Sequence, residues 1–206
     1  MKLFDLHTHN ICGSPTTSIF NSKEYIGNRR ISVGIHPWDI DNCWRELFSV
    51  IKEYAQKENV CAIGECGIDK LKSTVAIEQQ LEVLKTHALL AEEVNKPLII
   101  HCVKGTDEII ALHKEIAPEQ AWIIHGFRGK PQQADQLTKN GFYISFGNRF
   151  NNDSLKATPL DKLFVESDDS NTAINEIYQN IATAKGYTIE ELALAVIKNA
   201  EKISIL

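Results

Sequence analysis

Five of the seven histidines in this 206-residue chain stand at or just beyond the ends of short apolar runs. Pro97-Leu-Ile-Ile-His101 and Ala121-Trp-Ile-Ile-His125 share one pattern. Leu3-Phe-Asp-Leu-His7-Thr-His9 and Ile31-Ser-Val-Gly-Ile-His36 repeat it. Neutral imidazole is a common metal ligand near pH 7. His7 and His9 are two residues apart, so on a strand they face the same side and can share one ion. Ala62-Ile-Gly-Glu65-Cys-Gly-Ile-Asp69 and Val165-Glu166-Ser167-Asp168-Asp169 bring carboxylates out of equally apolar runs. A carboxylate buried there has to be paired, metal-bound or neutral, because an isolated buried charge is too costly. One such side chain alone would read as a satisfied core residue. His7, His9, Glu65, His101, His125 and Asp168 together read as a metal site.

The set divides into two ligand groups: His7, His9 and Asp168 around one ion, His101 and His125 around a second, with Glu65 shared. Four neutral imidazoles and two carboxylates around two divalent ions leave the pocket at net +2, which suits an anionic substrate such as a phosphodiester. A water between the ions would lose its proton near neutral pH and serve as nucleophile. Mixed nitrogen and oxygen donors admit Zn²⁺, Mn²⁺, Fe²⁺ or Co²⁺, with Mg²⁺ less at ease among four imidazoles.

Residues so far apart in the chain meet only if the strands that carry them end at one mouth, as in a parallel barrel. Strand-like runs fall at Lys2–Leu6, Thr17–Asn21, Ile31–Ile35, Val60–Gly64, Leu98–Ile100, Trp122–Ile124, Phe142–Phe146 and Leu163–Ser167. Most are apolar on both faces, as in a sheet covered on both sides. Helical stripes alternate with the later runs: Asn42 to Lys57, Ile77 to Ala91 with Ser73 or Thr74 as cap, and Thr106 to Pro118. A shorter stripe spans Gln132 to Lys139, stopped by Gly141, and a tail helix opens with the capping box Thr188-Ile-Glu-Glu191. A single domain over residues 1–206 is expected, an α/β fold of the TIM-type (β/α)₈ class. Only Asn10–Thr16 and Ser22–Arg30 separate the first three strands, so the outer helix ring is expected to be incomplete near the N-terminus.

Composition sets the remaining bounds. Hydrophobic content of 43% with 24% charged residues is ordinary for a globular protein. No apolar run approaches the ~20 residues of a membrane span, and no leader precedes the first strand, so no membrane association is expected. Five cysteines without a C-x-x-C pair fit a reduced, cytoplasmic setting, with Cys66 and Cys102 as small buried apolar residues. A net charge of −5 argues against a protein that coats nucleic acid, but not against an enzyme that holds phosphate on metal ions. Nothing points to a protein partner.

Asp5-Leu-His7-Thr-His9, Gly34-Ile-His36-Pro37, Ala62-Ile-Gly-Glu65-Cys-Gly-Ile-Asp69, Ile99-Ile-His101-Cys102, Ile124-His125-Gly-Phe-Arg-Gly129 and Glu166-Ser-Asp168 resemble the successive motifs of the TatD-type metal-dependent hydrolases, of the amidohydrolase superfamily of TIM barrels. The resemblance implies that His7 and His9 bind one metal, His101 and His125 the other, and that Glu65 bridges them. It further implies that Asp168 binds the first metal and acts as base toward the attacking water, and that the reaction is phosphodiester cleavage in DNA or an oligonucleotide. Hydrolysis of a small phosphate ester, amide or lactone by the same two metals (Zn²⁺, Mn²⁺ or Mg²⁺) is the alternative. The chain departs from the family pattern at Val103-Lys104, Lys70 and Asp169-Ser170, positions that touch substrate rather than metal.

Lys70, Lys104 and Arg128 follow neighbouring strand ends and are candidates for phosphate binding, or else solvated loop charges. His36 is a candidate for the pocket wall or substrate contact. Trp38 either stacks on a base or ring, or packs at the rim. His87 and His113 fall in helical stripes and read as exposed or packing residues.

Overall fold

A computed structural model describes residues 2–12 and 17–206. Eight parallel strands run in chain order around one sheet: β1 (Asp5–Thr8), β2 (Ser18–Asn21), β3 (Ile31–Val33), β4 (Val60–Asp69), β5 (Leu98–Val103), β6 (Trp122–Ile124), β7 (Tyr143–Phe146) and β8 (Leu163–Val165). The sheet is a nearly closed barrel. Its seam is stitched just beyond the end of β8, where the Asp168 amide donates to His7 O (2.9 Å) and the His9 amide donates to Asp168 O (3.0 Å). Val, Ile and Leu dominate the strands, and every residue of β1, β3, β4, β6, β7 and β8 is buried, as double-sided coverage requires.

The cover is a ring of helices: α1 (Trp44–Ala55), α2 (Ile77–Val94), α3 (Thr106–Ile116), α4 (Pro131–Lys139), α5 (Asn152–Ala157), α6 (Ile174–Lys185) and α7 (Ile189–Lys202), with a 3₁₀ turn at Leu160–Lys162. Polar hooks tie several of them to the sheet. Asn199 Nδ2 of α7 donates to Leu160 O and Leu163 O (2.9 Å each), and Tyr178 Oη of α6 donates to Phe4 O (2.6 Å). Inside α2, His87 uses both ring nitrogens: Nδ1 lies 2.8 Å from Val83 O, and Nε2 accepts from the Ile35 amide (3.1 Å). That pairing requires the neutral ring, and burial pushes its pKa down to about 4.

The helix-poor N-terminal arc is present where the structure describes it. Residues 22–30, between β2 and β3, contain no helix. The gap Asn10–Thr16 lies largely outside the described residues. In place of a helix, Asn59 Nδ2 donates to Ile26 O (2.7 Å) and Arg29 O (2.8 Å), and Arg30 donates to the carbonyl of buried Ile205, so the chain's end helps cover this side.

Two local expectations need correcting. The α2 N-cap is Ala76, without a side-chain cap, because the chain between Asp69 and Ile77 is drawn to the barrel mouth, where Ser73 Oγ donates to Pro37 O (2.8 Å). β4 does not stop at Gly64 but runs on to Asp69. A register irregularity between Ile63 and Cys66 lets it continue, with Gly64 (φ +123°) and Gly67 (φ +148°) in backbone that favours glycine. Helices α5 and α6 have no counterpart in the sequence reading, although in α6 Ile177, Tyr178, Ile181 and Ala182 form a buried helical stripe.

Candidate metal centre

Glu65 stands at the centre of the barrel mouth. It follows the β4 irregularity, its side chain is 3% exposed, and both carboxylate oxygens face imidazoles. Oε2 lies 3.2 Å from His7 Nε2 and 3.5 Å from His9 Nε2. Oε1 lies 2.8 Å from His125 Nε2, 3.0 Å from His101 Nδ1 and 3.2 Å from His36 Nε2. Asp168 Oδ1 completes the first side, 3.9 Å from His7 Nε2 and 3.7 Å from His9 Nε2. Asp168 adopts φ +52°, a left-handed conformation that aspartate tolerates better than most residues, and this kink follows β8 where its backbone crosses to β1.

Close backbone approach sets this geometry. A Cβ on Gly67 would fall 2.0 Å from His101 O, so glycine is needed where β4 pairs with β5 at Gly67–His101, two residues beyond Glu65. Asn21, at the end of β2, fixes Glu65 from the other side: its Oδ1 accepts from the Glu65 amide (3.0 Å), and its Nδ2 donates to Oε2 (3.4 Å). Two buried carboxylates stand behind the histidines. Asp69 Oδ2 lies 3.2 Å from His101 Nε2, and Glu166 Oε1 lies 3.4 Å from His125 Nδ1 while accepting from the Gly126 amide at 2.5 Å. Such carboxylate–histidine pairs fix the ring's orientation and raise its donor strength.

Burial by itself would raise the Glu65 pKa, yet His125, His101 and His36 hold it well below the usual carboxylate range. His125 is desolvated, which opposes its protonation, but Glu65 and Glu166 raise its pKa well above the usual imidazole value. His9 is raised by its contact with Glu65. The site therefore favours an ionised carboxylate with compensating positive charge around it.

The donor chemistry fits metal ions. His7, His9 and Glu65 offer ligand atoms within 4.8 Å of one another, as do His7, His125 and Asp168, and His36, Glu65 and His101. The His7 and His9 Nε2 atoms approach to 3.3 Å, two nitrogens converging beside one carboxylate oxygen. His7, His9, Glu65, His101, His125 and Asp168 thus meet in one place. His36 lines the same cavity and also comes within 3.2 Å of Glu65 Oε1.

The cavity above them, about 400 Å³, is lined by His9, Asn21, Lys23, His36, Trp38 and Asp168 among others. Lys70, Lys104 and Arg128 are not among its lining residues. Lys70 is bound to Glu108 of α3 (2.5 Å), because the loop after β4 turns outward toward that helix. The lining cation is instead Lys23, paired with Asp39 at 2.6 Å. Glu65, Asp168, Asp169 and Asp39 against Lys23 would leave a cavity holding two divalent ions at net +1, below the +2 expected from the six ligands. Asn21, Lys23, Asp39, Asp69 and Glu166 had no functional role in the sequence reading. Asp69 and Glu166 are visible as carboxylates within the motif runs, and Asn21 as a polar residue closing an apolar strand.

Residues 14–204 match the family model described as TatD related DNase. The chain belongs to the TatD family. The metal-dependent hydrolase YabD of Bacillus subtilis, itself uncharacterized, is 31% identical over 193 residues, covering 84% of this chain and 76% of that protein. A 3'-5' ssDNA/RNA exonuclease TatD of Pantoea vagans is 25% identical over 198 residues, covering 84% of this chain and 76% of the exonuclease. Among solved structures, the TatD homologue YJJV of Escherichia coli superposes with a TM-score of 0.76 at 20% identity, covering 92% of this chain and 86% of its own. A TatD-family hydrolase of Entamoeba histolytica gives 0.76 at 16% identity, covering 99% and 98%. This TatD-family chain is accordingly a metal-dependent hydrolase with a TIM-type barrel. No described helix is long and apolar enough to cross a membrane.

Proposed function

We propose that this TatD-family hydrolase is a two-metal phosphodiesterase acting on single-stranded ends of DNA or an oligonucleotide. The observation that carries the reading is the two-sided Glu65 carboxylate, with His7 and His9 at one oxygen and His101, His125 and His36 at the other. In this reading His7, His9 and Asp168 would hold one ion and His101 and His125 the second, with Glu65 contributing to both groups. A pair of divalent ions there supplies Lewis acidity toward a phosphate and acidifies water.

The protein's own groups do the rest. Asp168, 21% exposed and lining the cavity, accepts a proton from the attacking water at its carboxylate. Asn21 keeps Glu65 oriented, while Asp69 and Glu166 keep His101 and His125 turned toward it. A cavity of about 400 Å³ suits one small ligand unit, which favours a strand end over a continuous duplex. Lys23 can exchange Asp39 for a substrate phosphate at the rim.

The test is purified protein reloaded separately with Mg²⁺, Mn²⁺ and Zn²⁺ and assayed on single-stranded DNA, duplex DNA, a phosphate monoester, an amide and a lactone. Single-stranded ends are expected to be cleaved fastest, with binding weakened by salt. Hydrolysis of neutral substrates with none of any oligonucleotide, under all three metals, would overturn the proposal.

A further inference from the structure

Trp38 follows β3 and lines the metal cavity, yet it is 49% exposed, whereas Trp44 and Trp122 are buried. Its exposure is not looseness. Nε1 donates to Asp69 Oδ2 (2.7 Å), the Trp38 amide donates to His36 Nδ1 (3.1 Å), and its ring meets His36 edge-on at 4.6 Å between centroids. Asp69 is itself fixed, because Oδ1 accepts the amides of Leu71 (2.8 Å) and Lys72 (2.9 Å) and Oδ2 reaches His101. With the indole N–H satisfied and the ring pinned, what faces the cavity is an oriented apolar aromatic surface. The exposed Lys72 ammonium stands 4.5 Å from its centroid.

We propose that Trp38 is the base-stacking platform for the terminal nucleotide of a single-stranded substrate, an inference that rests on the phosphodiesterase reading above. Base stacking on an aromatic face is stronger than an exposed cation–π contact, so a base takes the place of Lys72 at the ring. The displaced ammonium is then free to stand beside the nucleotide's phosphate. Every base has a π-face, so this contact confers affinity for a base without choosing among the four. Asp69 joins the platform to His101, so a base seated on Trp38 places its own phosphate near the imidazole cluster.

The experiment uses single-stranded DNA heptamers, natural or with an abasic residue at either end. In the whole protein treated with chelator, tryptophan fluorescence reports binding, since Trp38 is the exposed indole. The natural heptamer is expected to quench it and to bind about 10-fold more tightly than the heptamer abasic at the bound end. Trp38→Leu should lose both the quench and the preference, whereas Trp38→Phe should keep the preference, which a merely structural role for the indole would not produce. With metal restored, the KM advantage of the natural end should likewise vanish in Trp38→Leu. Equal binding and equal KM for natural and abasic ends in the wild-type protein would overturn the proposal, as would a Trp38→Leu variant that weakens both ends alike. A wild-type protein that cleaves no phosphodiester would instead overturn the function reading, and base-dependent quenching would still decide the Trp38 site.

Discussion

At the residue scale, one buried carboxylate is shared by five imidazoles, and its value lies in having two separate oxygens. Each oxygen of Glu65 serves one side of the mouth, so removing the charge should affect both sides together. Asp168 differs in being partly open to the cavity and in sitting at φ +52°. Asparagine adopts that conformation as readily, so Asp168→Asn keeps the backbone while abolishing a proton acceptor. Turnover is expected to fall ~100-fold or more with the metal content and melting temperature close to wild type. Asp169→Asn, a change at the neighbouring rim carboxylate, should cost far less. Steady-state kinetics beside elemental analysis of the same samples checks both, and equal turnover for wild type and Asp168→Asn would remove Asp168 from the role of base.

At the element scale, β4 is the strand on which the site depends, and it is held by glycines rather than by side chains. Gly67→Ala forces a Cβ against the His101 carbonyl at 2.0 Å in backbone of φ +148°. A destabilisation of about 2–3 kcal/mol is expected, lowering Tm by roughly 5–10 °C, together with weaker metal binding as His101 shifts. Calorimetry and metal titration of the variant measure both. A second prediction belongs to α2. His87 stays neutral in the fold down to about pH 4, whereas the unfolded chain takes up its proton near pH 6.5. Its contribution to stability is therefore complete above pH 6.5 and lost as pH falls to about 4, some 3 kcal/mol in all. In chemical denaturation, the stability gap between wild type and His87→Gln should shrink by about that amount between pH 7 and pH 4. An unchanged gap would show that the ring is not held neutral.

Which elements were legible in the sequence follows from how each is specified. Strands buried on both faces are apolar runs and announce themselves, so all eight were visible, and so were the histidines that end them. The extension of β4 to Asp69 was hidden because glycines usually signal a turn, and here they permit a register irregularity. The pairs Asp69–His101 and Glu166–His125 depend on the strands' relative positions, and Gly67 aligns with His101 only in the folded sheet. The Lys70–Glu108 pair was hidden for a similar reason, because it depends on where α3 packs beside the loop after β4.

At the scale of the whole molecule, a chain of net charge −5 offers a polyanion no overall attraction, and in the proposed reading positive charge is confined to the metal-loaded cavity. Long-range steering of a polyanion is therefore weak, and a short strand end that reaches the metals directly is the better substrate. Metal binding also links the arc around the mouth, since its proposed ligands come from strands at both ends of the chain. Chelation should lower Tm by roughly 5–10 °C, the effect of removing a ligand held at about 100 times its dissociation constant, or ~2.7 kcal/mol. Differential scanning of the protein with and without chelator measures it, and an unchanged Tm would mean that the cluster binds no metal in the folded protein.

The proposed sharing of Glu65 by two ions is tested most directly by loading the protein with Mn²⁺ and recording the metal count and the electron paramagnetic resonance spectrum on one sample. Two ions per chain with an exchange-coupled Mn²⁺ pair are predicted in wild type, and Glu65→Gln should lose the coupling. One ion per chain, or two ions without coupling, would contradict a shared carboxylate at the centre of the site.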